Sequence, residues 1–323
     1  MKRINKIGND GGVRTSTVCP RLSVESKIRH AGRTRAAVPS RRGFSLIELL
    51  IVIAVIGILM AFILPAVGNA RLRARIAEVT TEMSKFEAAI EVFKGNHGPV
   101  PSAITLSQLG DTAAGPADRW SPRAKTILRR MFPEIDFDLA HDFDGDPATT
   151  APIELRGAEC LVLFLGGLRD TDGNFVGFSK NPTDPLDVAN LGGSRDGPFF
   201  EFDLSRIQVD TSGRPIYYDP LPGSIQDKKP YLYASSSGGR GYQTSDLGYG
   251  GAQKMTDIYR SGSTASSPPF NRNSFQIISP GADGEYGTGG PFDPEAPNAS
   301  LNTPARKVES DNITNFQSGV LNP

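Results

Sequence analysis

The sequence predicts an α+β fold: one long N-terminal helix, followed by antiparallel strands and long loops. Three observations predict it. Residues 44–67 are a nearly unbroken apolar run, and apolar side chains recur at helical spacing from 76 to 93. Beyond residue 200, short apolar or alternating runs are separated by turn residues.

The apolar run comes first. From 49 to 64 no side chain is charged or strongly polar, and the whole segment 44–67 holds 24 residues. As a helix rising ~1.5 Å per residue it would reach about 36 Å, more than a hydrocarbon core of ~30 Å. Lys and Arg crowd its N-terminal side, which assigns that side to the cytoplasm. A secretory signal would have a shorter apolar core with small residues after it. Glu48 lies inside this segment. A carboxylate at a bilayer centre costs roughly 2.5–3.5 kcal/mol, so such a residue is expected to have a function and a partner.

The helix is expected to continue. Ile76, Val79, Met83, Phe86, Ile90 and Phe93 are spaced 3, 4, 3, 4 and 3 apart, which is one face of an amphipathic helix. Arg71, Arg73, Arg75, Glu78, Glu82, Lys85, Glu87 and Glu91 are assigned to other faces. Pro65 lacks an amide donor and is expected to kink or loosen the helix. Gly95-Asn96-His97-Gly98-Pro99 should stop it.

Downstream, residues 122–132 suggest a short helix, and 160–165 a buried helix or strand that periodicity cannot choose between. Residues 169–198 read as loop, with a turn at Asp170-Thr171-Asp172-Gly173-Asn174. Phe200, Phe202 and Leu204 alternate with acids as in a half-buried strand. Runs at 207–209 and 215–218 flank Thr211-Ser212-Gly213-Arg214 as a hairpin, to which 231–234 can add a third strand. Residues 235–273 read as a long surface loop and 274–279 as the last strand. The organisation read from the chain is a basic segment 1–43, a membrane helix 44–67, its amphipathic continuation 68–94 and an extracytoplasmic globular domain 95–323.

The formal net charge is zero, but it is split. Residues 1–43 hold 11 Lys+Arg against 2 Asp+Glu, and the remaining 280 hold 24 against 33. An acidic body argues against nucleic acid as a partner. Cys19 falls in the basic segment and Cys160 in an apolar run, where it should pack as a small hydrophobe. Three histidines at 30, 97 and 141 show no metal-ligand spacing, and no nucleophile motif is present, so catalysis finds no support. His141-Asp142-Phe143-Asp144-Gly145-Asp146 lacks the Gly and Glu that an EF-hand requires at its sixth and twelfth positions. Trp120 beside Arg119 reads as a packing residue.

Gly43-Phe44-Ser45-Leu46-Ile47-Glu48, after Arg41-Arg42, resembles the processing site of a type IV prepilin or type II secretion pseudopilin. The resemblance implies cleavage after Gly43 by a prepilin peptidase, which leaves the apolar helix on the mature chain, and N-methylation of Phe44. The segment before Gly43 is long for such a leader. Either the leader is real, or translation starts at a valine codon at Val38, giving Val-Pro-Ser-Arg-Arg-Gly. The family pattern implies a helix whose second half lies on a sheet, with a proline near the depth of Pro65. It also implies a Phe44 amine paired with Glu48 of a neighbouring subunit. Such a subunit would sit in the inner membrane as a single-pass protein and join a homo-oligomeric filament with other pseudopilins on an inner-membrane assembly platform.

Ser279-Pro280-Gly281-Ala282-Asp283-Gly284-Glu285-Tyr286-Gly287 and Asp311-Asn312-Ile313-Thr314 resemble the loop that holds calcium in major, G-type pseudopilins. Asp283 and Asp311 would be the carboxylate ligands, joined by carbonyls near Ser279. The insert from 287 to 309 and the amide at Asn312 depart from that pattern. The resemblance thus implies a secretion pseudopilus subunit, with two alternatives: a type IV pilus subunit, or a membrane-anchored extracytoplasmic enzyme or binding domain on a pilin-like anchor.

Overall fold

A computed structural model describes residues 43–107, 120–139, 151–187, 192–210, 212–221 and 228–322. The chain forms two units, the second being Leu59–Pro323. In the first unit, residues 43–45 are non-helical and helix α1 (Leu46–His97) begins. Every side chain from 46 to 58 is exposed.

In the second unit α1 is helical without a break at position 65, so the expected loosening does not interrupt it. Its side chains stay exposed through position 64; further on the predicted stripe docks, with Val79, Met83, Phe86, Ile90 and Phe93 buried, Ala89 added and Ile76 half-buried. Gly98, at φ +85°, closes the helix where the stop was expected. Among the described residues α1 is the one helix long and apolar enough to cross a membrane.

β1 (Ala103–Leu106) pairs antiparallel with β2 (Ile153–Arg156). Helix α2 (Pro122–Met131) has Pro122 in its first turn, and the Ser121 hydroxyl oxygen accepts the Ala124 amide at its start. Trp120 packs edge-on to Phe137, 5.6 Å between centroids. Helix α3 (Gly157–Gly166) settles the alternative at 160–165 and is buried on all sides, Cys160 included. A Cβ on Gly157 would stand 2.2 Å from the Tyr233 carbonyl oxygen, so glycine lets α3 start against that backbone.

β3 (Leu168–Arg169), β4 (Phe175–Ser179) and β5 (Arg195–Asp196) form an antiparallel sheet inside the span expected as loop. The turn at 170–174 is present, with Asp170 Oδ1 accepting the Asp172 and Asn174 amides. No strand forms at 200–204. Phe200 and Phe202 are buried by ring contacts, and Leu204 opens a 3-10 turn and is exposed. The hairpin is β6 (Ile207–Val209) and β7 (Pro215–Tyr217), with Ile207 opposite Tyr217.

β8 (Leu232–Ser235) is the strand expected at 231–234, though its ladder is elsewhere. β9 (Gly248–Tyr249), β10 (Ala252–Gln253) and β11 (Tyr259–Ser261) interrupt the expected surface loop. β12 (Phe275–Ser279) is followed by β13 (Gly290–Phe292), β14 (Ile313–Thr314) and β15 (Gln317–Val320), so it is not the last strand. The central sheet is antiparallel in the order β15-β14-β12-β8. Its residues alternate between two apolar clusters. Tyr233, Phe275 and Ile277 face the cluster containing the α1 stripe and α3, and Leu232, Ala234 and Ile278 face a second one with Tyr259, Tyr286 and Phe292. The sheet is therefore covered on both faces. The Asp-rich run at 141–146 and Cys19 lie outside the described residues.

Candidate assembly site and its support

At the predicted processing point, Gly43 has no positive φ, and a Cβ added to it would meet nothing within 4 Å. Nothing in the fold demands glycine there. Phe44 is 85% exposed. Glu48 Oε2 accepts the Ser45 backbone N–H at 2.8 Å, a side chain in the first turn reaching back to cap its own helix. The glutamate thus sits at the positive end of α1 with its side chain at the surface.

The docked part of α1 is fixed by a group that its polarity had assigned to another face. Glu82 follows Val79 by three and precedes Phe86 by four, the spacing of the apolar stripe itself. Its carboxylate accepts both terminal nitrogens of Arg206, at 2.9 and 2.8 Å, and the hydroxyls of Tyr217 and Tyr231, each at 2.6 Å. The Glu82 and Arg206 side chains are 13% and 11% exposed. Arg206 also lies over the Tyr217 ring at 4.2 Å and donates to the Tyr218 carbonyl. Burial opposes its charge, yet the Glu82 contacts outweigh that and raise its pKa. Burial raises both tyrosines too, and the Glu82 carboxylate adds to the rise. Each therefore stays a hydroxyl donor. Asp219 lies next along the chain, wholly buried, with one oxygen accepting the Leu221 amide; the other makes no hydrogen bond of good geometry among the described residues, though the Ser279 side chain lies close to the carboxyl. Burial pushes its carboxyl up to about 7, against the pull of Ser279.

The two tail residues predicted as ligands are brought together. Asp311 Oδ2 accepts the amides of Ala282 and Asp283 at 2.6 and 3.0 Å, while its Oδ1 is buried without a partner among the described residues. Asp283 Oδ1 accepts the Glu285 amide at 2.7 Å. Burial pushes the Asp283 carboxyl up, the Glu285 amide pulls it down, and the nearby Asp311 charge adds to the rise. Gly281, at φ +69°, makes the approach possible, since a Cβ there would lie 2.5 Å from the Asp311 carbonyl oxygen. Ser279 Oγ accepts the Gly281 amide at 3.2 Å.

Glu309 was missed from sequence. It is wholly buried, accepts the amides of Thr288 and Gly289 at 2.9 and 3.0 Å, and pairs with Arg306 at 3.0 Å. Its signal was the Arg–Glu spacing of three. The Asn312 amide is turned away into the second cluster, donating to the Tyr259 hydroxyl and the Tyr286 carbonyl at 3.0 Å each. An oxygen-only pair with one orphaned buried oxygen fits a fraction of the shell of a hard cation, which takes six to eight oxygens. Among the described residues no three His, Cys, Asp or Glu side chains converge as a metal site. Backbone carbonyls would have to supply the rest.

Residues 39–64 match the family described as the prokaryotic N-terminal methylation motif. The chain is 36% identical over 87 residues to a fimbrial protein of Neisseria meningitidis serogroup A, covering 27% of this chain and 47% of that protein. It is likewise 36% identical over 87 residues to the type IV major pilin protein PilE of Neisseria gonorrhoeae, covering 27% and 48%. A serogroup B fimbrial protein of Neisseria meningitidis is 40% identical over 65 residues, covering 20% and 38%. The chain thus spans about half the length, or less, of the curated relatives it matches. No solved structure matches it.

Proposed function

We propose that the chain, whose residues 39–64 match the prokaryotic N-terminal methylation motif and whose sequence is similar to type IV pilins over part of its length, is a type IV pilin-like structural subunit that polymerises through α1 into a filament. Prepilin peptidase cleaves after Gly43 and the new Phe44 amine is methylated. The observation that carries this reading is the state of α1. Every side chain from 46 to 64 is exposed, within the matched methylation motif at 39–64, while 79–93 docks by its apolar stripe. Apolar side chains on that scale need a lipid phase or neighbouring helices to cover them.

The protein is membrane-anchored through this helix, in the inner membrane with residues beyond it in the periplasm. Cleavage frees a cationic amine at Phe44. Glu48 of a neighbour can pair with it, which offsets the cost of burying either charge and sets the axial register. The partners are further copies, related subunits, prepilin peptidase and an inner-membrane assembly platform. The similarity to a fimbrial protein and a type IV major pilin favours a pilus subunit over a secretion pseudopilus. Mass spectrometry of the N-terminus of protein from native membranes tests the reading. N-methylated Phe44 supports it. An intact leader, or cleavage near Ala70 after the apolar run, overturns it.

A pseudopilin role is the second reading, favoured by the contact between Asp283 and Asp311. Those two carboxylates would hold calcium together with loop carbonyls, and the ion would neutralise the pair. Thermal unfolding with calcium and with a chelator decides that point. A rise in Tm that Asp311→Asn abolishes supports it, and coincident curves remove it.

A further inference from the structure

A groove of about 410 Å³ lies between the segment after α1, one face of α2 and the loop 237–243. Its size falls in the ~300–1,000 Å³ range of small-molecule sites. Arg123, Arg130 and Arg240 line it. Arg123 and Arg130 are seven residues apart on α2, hence on one face and about 10 Å apart along the axis. Arg240 comes from the loop opposite.

These charges are poorly neutralised. Arg130 is exposed and has no hydrogen bond or ion pair among the described residues. Arg240 uses its Nε on the Ser237 carbonyl, at 3.1 Å. Arg123 reaches Asp246 only at 4.0 Å, and that carboxylate is already held by the Ser102 hydroxyl at 2.8 Å. Three guanidiniums therefore face one carboxylate, in a body with 24 basic against 33 acidic residues. The loop is also built at a backbone cost. Ser237 has φ 53°, a left-handed value rare outside glycine, and it lines the groove. The Ser236 hydroxyl oxygen, accepting the Gly239 amide at 3.2 Å, holds the turn that carries Arg240.

We propose that this groove is a binding site for a small ligand bearing two or more oxyanion groups, carboxylate or phosphate, each met by a guanidinium fork. Gln243 on its wall supplies a neutral donor, while the Thr126 hydroxyl is already donated to the Pro122 carbonyl at 2.8 Å. The spacing of Arg123 and Arg130 favours a ligand with separated charges over a single small anion.

The test is calorimetric titration of the full-length protein, in an uncharged detergent at low salt, with citrate and with pyrophosphate. Saturable one-site binding of either supports the site. Citrate alone assigns carboxylates, pyrophosphate alone assigns phosphates, and both assign oxyanion charge in general. Arg130→Gln and Arg240→Gln should each weaken binding about ten-fold, while Arg272→Gln, at an exposed position elsewhere, should not. Both groove variants replace exposed side chains, so their melting curves should match the parent. No saturable binding to the parent protein, or binding undiminished in both groove variants, overturns the proposal.

Discussion

Isoleucine and valine meet opposite fates in two stretches of α1. Ile51, Ile56 and Leu64 are about half or more exposed, while Val79 and Ile90 are at most 1% exposed. The residue types are nearly the same, so hydropathy does not set the difference. Patterning does. From 49 to 64 the apolar residues surround the helix on all sides, which no single sheet can cover. From 76 to 93 they form a stripe, and an aromatic cluster of the domain covers it: Phe86 stacks on Phe200 at 4.2 Å and meets Tyr231 edge-on at 5.4 Å. An all-round apolar helix needs an external phase, whereas a stripe needs only its own domain.

Substitutions along α1 test that contrast. Phe86→Ala should cost the most, about 4 kcal/mol in denaturant unfolding, from lost burial and the cavity left among the rings. Ile56→Ala should leave that transition in place; an equal loss there would end the distinction between the two stretches. Glu82→Ala should cost about 3 kcal/mol, because Arg206 would be left buried without its carboxylate. Urea midpoints measure it, and a change below about 0.5 kcal/mol would show that the clamp is not what docks α1.

Asp219 should make stability depend on pH. Its carboxyl titrates near 7 when folded and near 3.9 when unfolded. The folded state binds the proton more tightly, so the contribution is present at low pH and is lost as pH rises through 7. Between pH 5 and 8 the loss should be about 2–3 kcal/mol. Asp219→Asn should flatten the curve of unfolding free energy against pH over that window. Glu48→Gln should have the smallest effect on folding, below about 0.5 kcal/mol, since its one bond is an exposed cap. The same variant should abolish filaments in electron micrographs if Glu48 pairs between subunits, and normal filaments would remove that role.

The elements legible in sequence were those with enough residues to show a period. The stripe 76–93 is of this kind, whereas the hairpin around 211–214 was legible from its turn residues. Strands of two or three residues, such as β5, β9 and β11, carry no periodic signal, and the five residues of β4 are interrupted by Gly177 at φ +69°, so 169–198 and 235–273 read as loop. Phe200 and Phe202 show the reverse error, since alternation reports burial and not a ladder partner. Glu82 was sorted by its polarity, although its position was that of the stripe. The two tail carboxylates were legible through their loop motif, but Glu309 depends on Arg306 and on amides at 288 and 289 that only the folded chain brings together.

The Glu82 clamp has a mechanical side. In the filament proposed above, a pull on a subunit's N-terminal helix would run along the axis of α1. The bonds from Arg206, Tyr217 and Tyr231 all converge on one residue, at a single height on that helix. Axial shear would load them in parallel, so they must yield together; bonds spread along the helix could break in succession. The clamp is thus placed to resist sliding, the direction in which a stripe of apolar contacts alone offers least resistance.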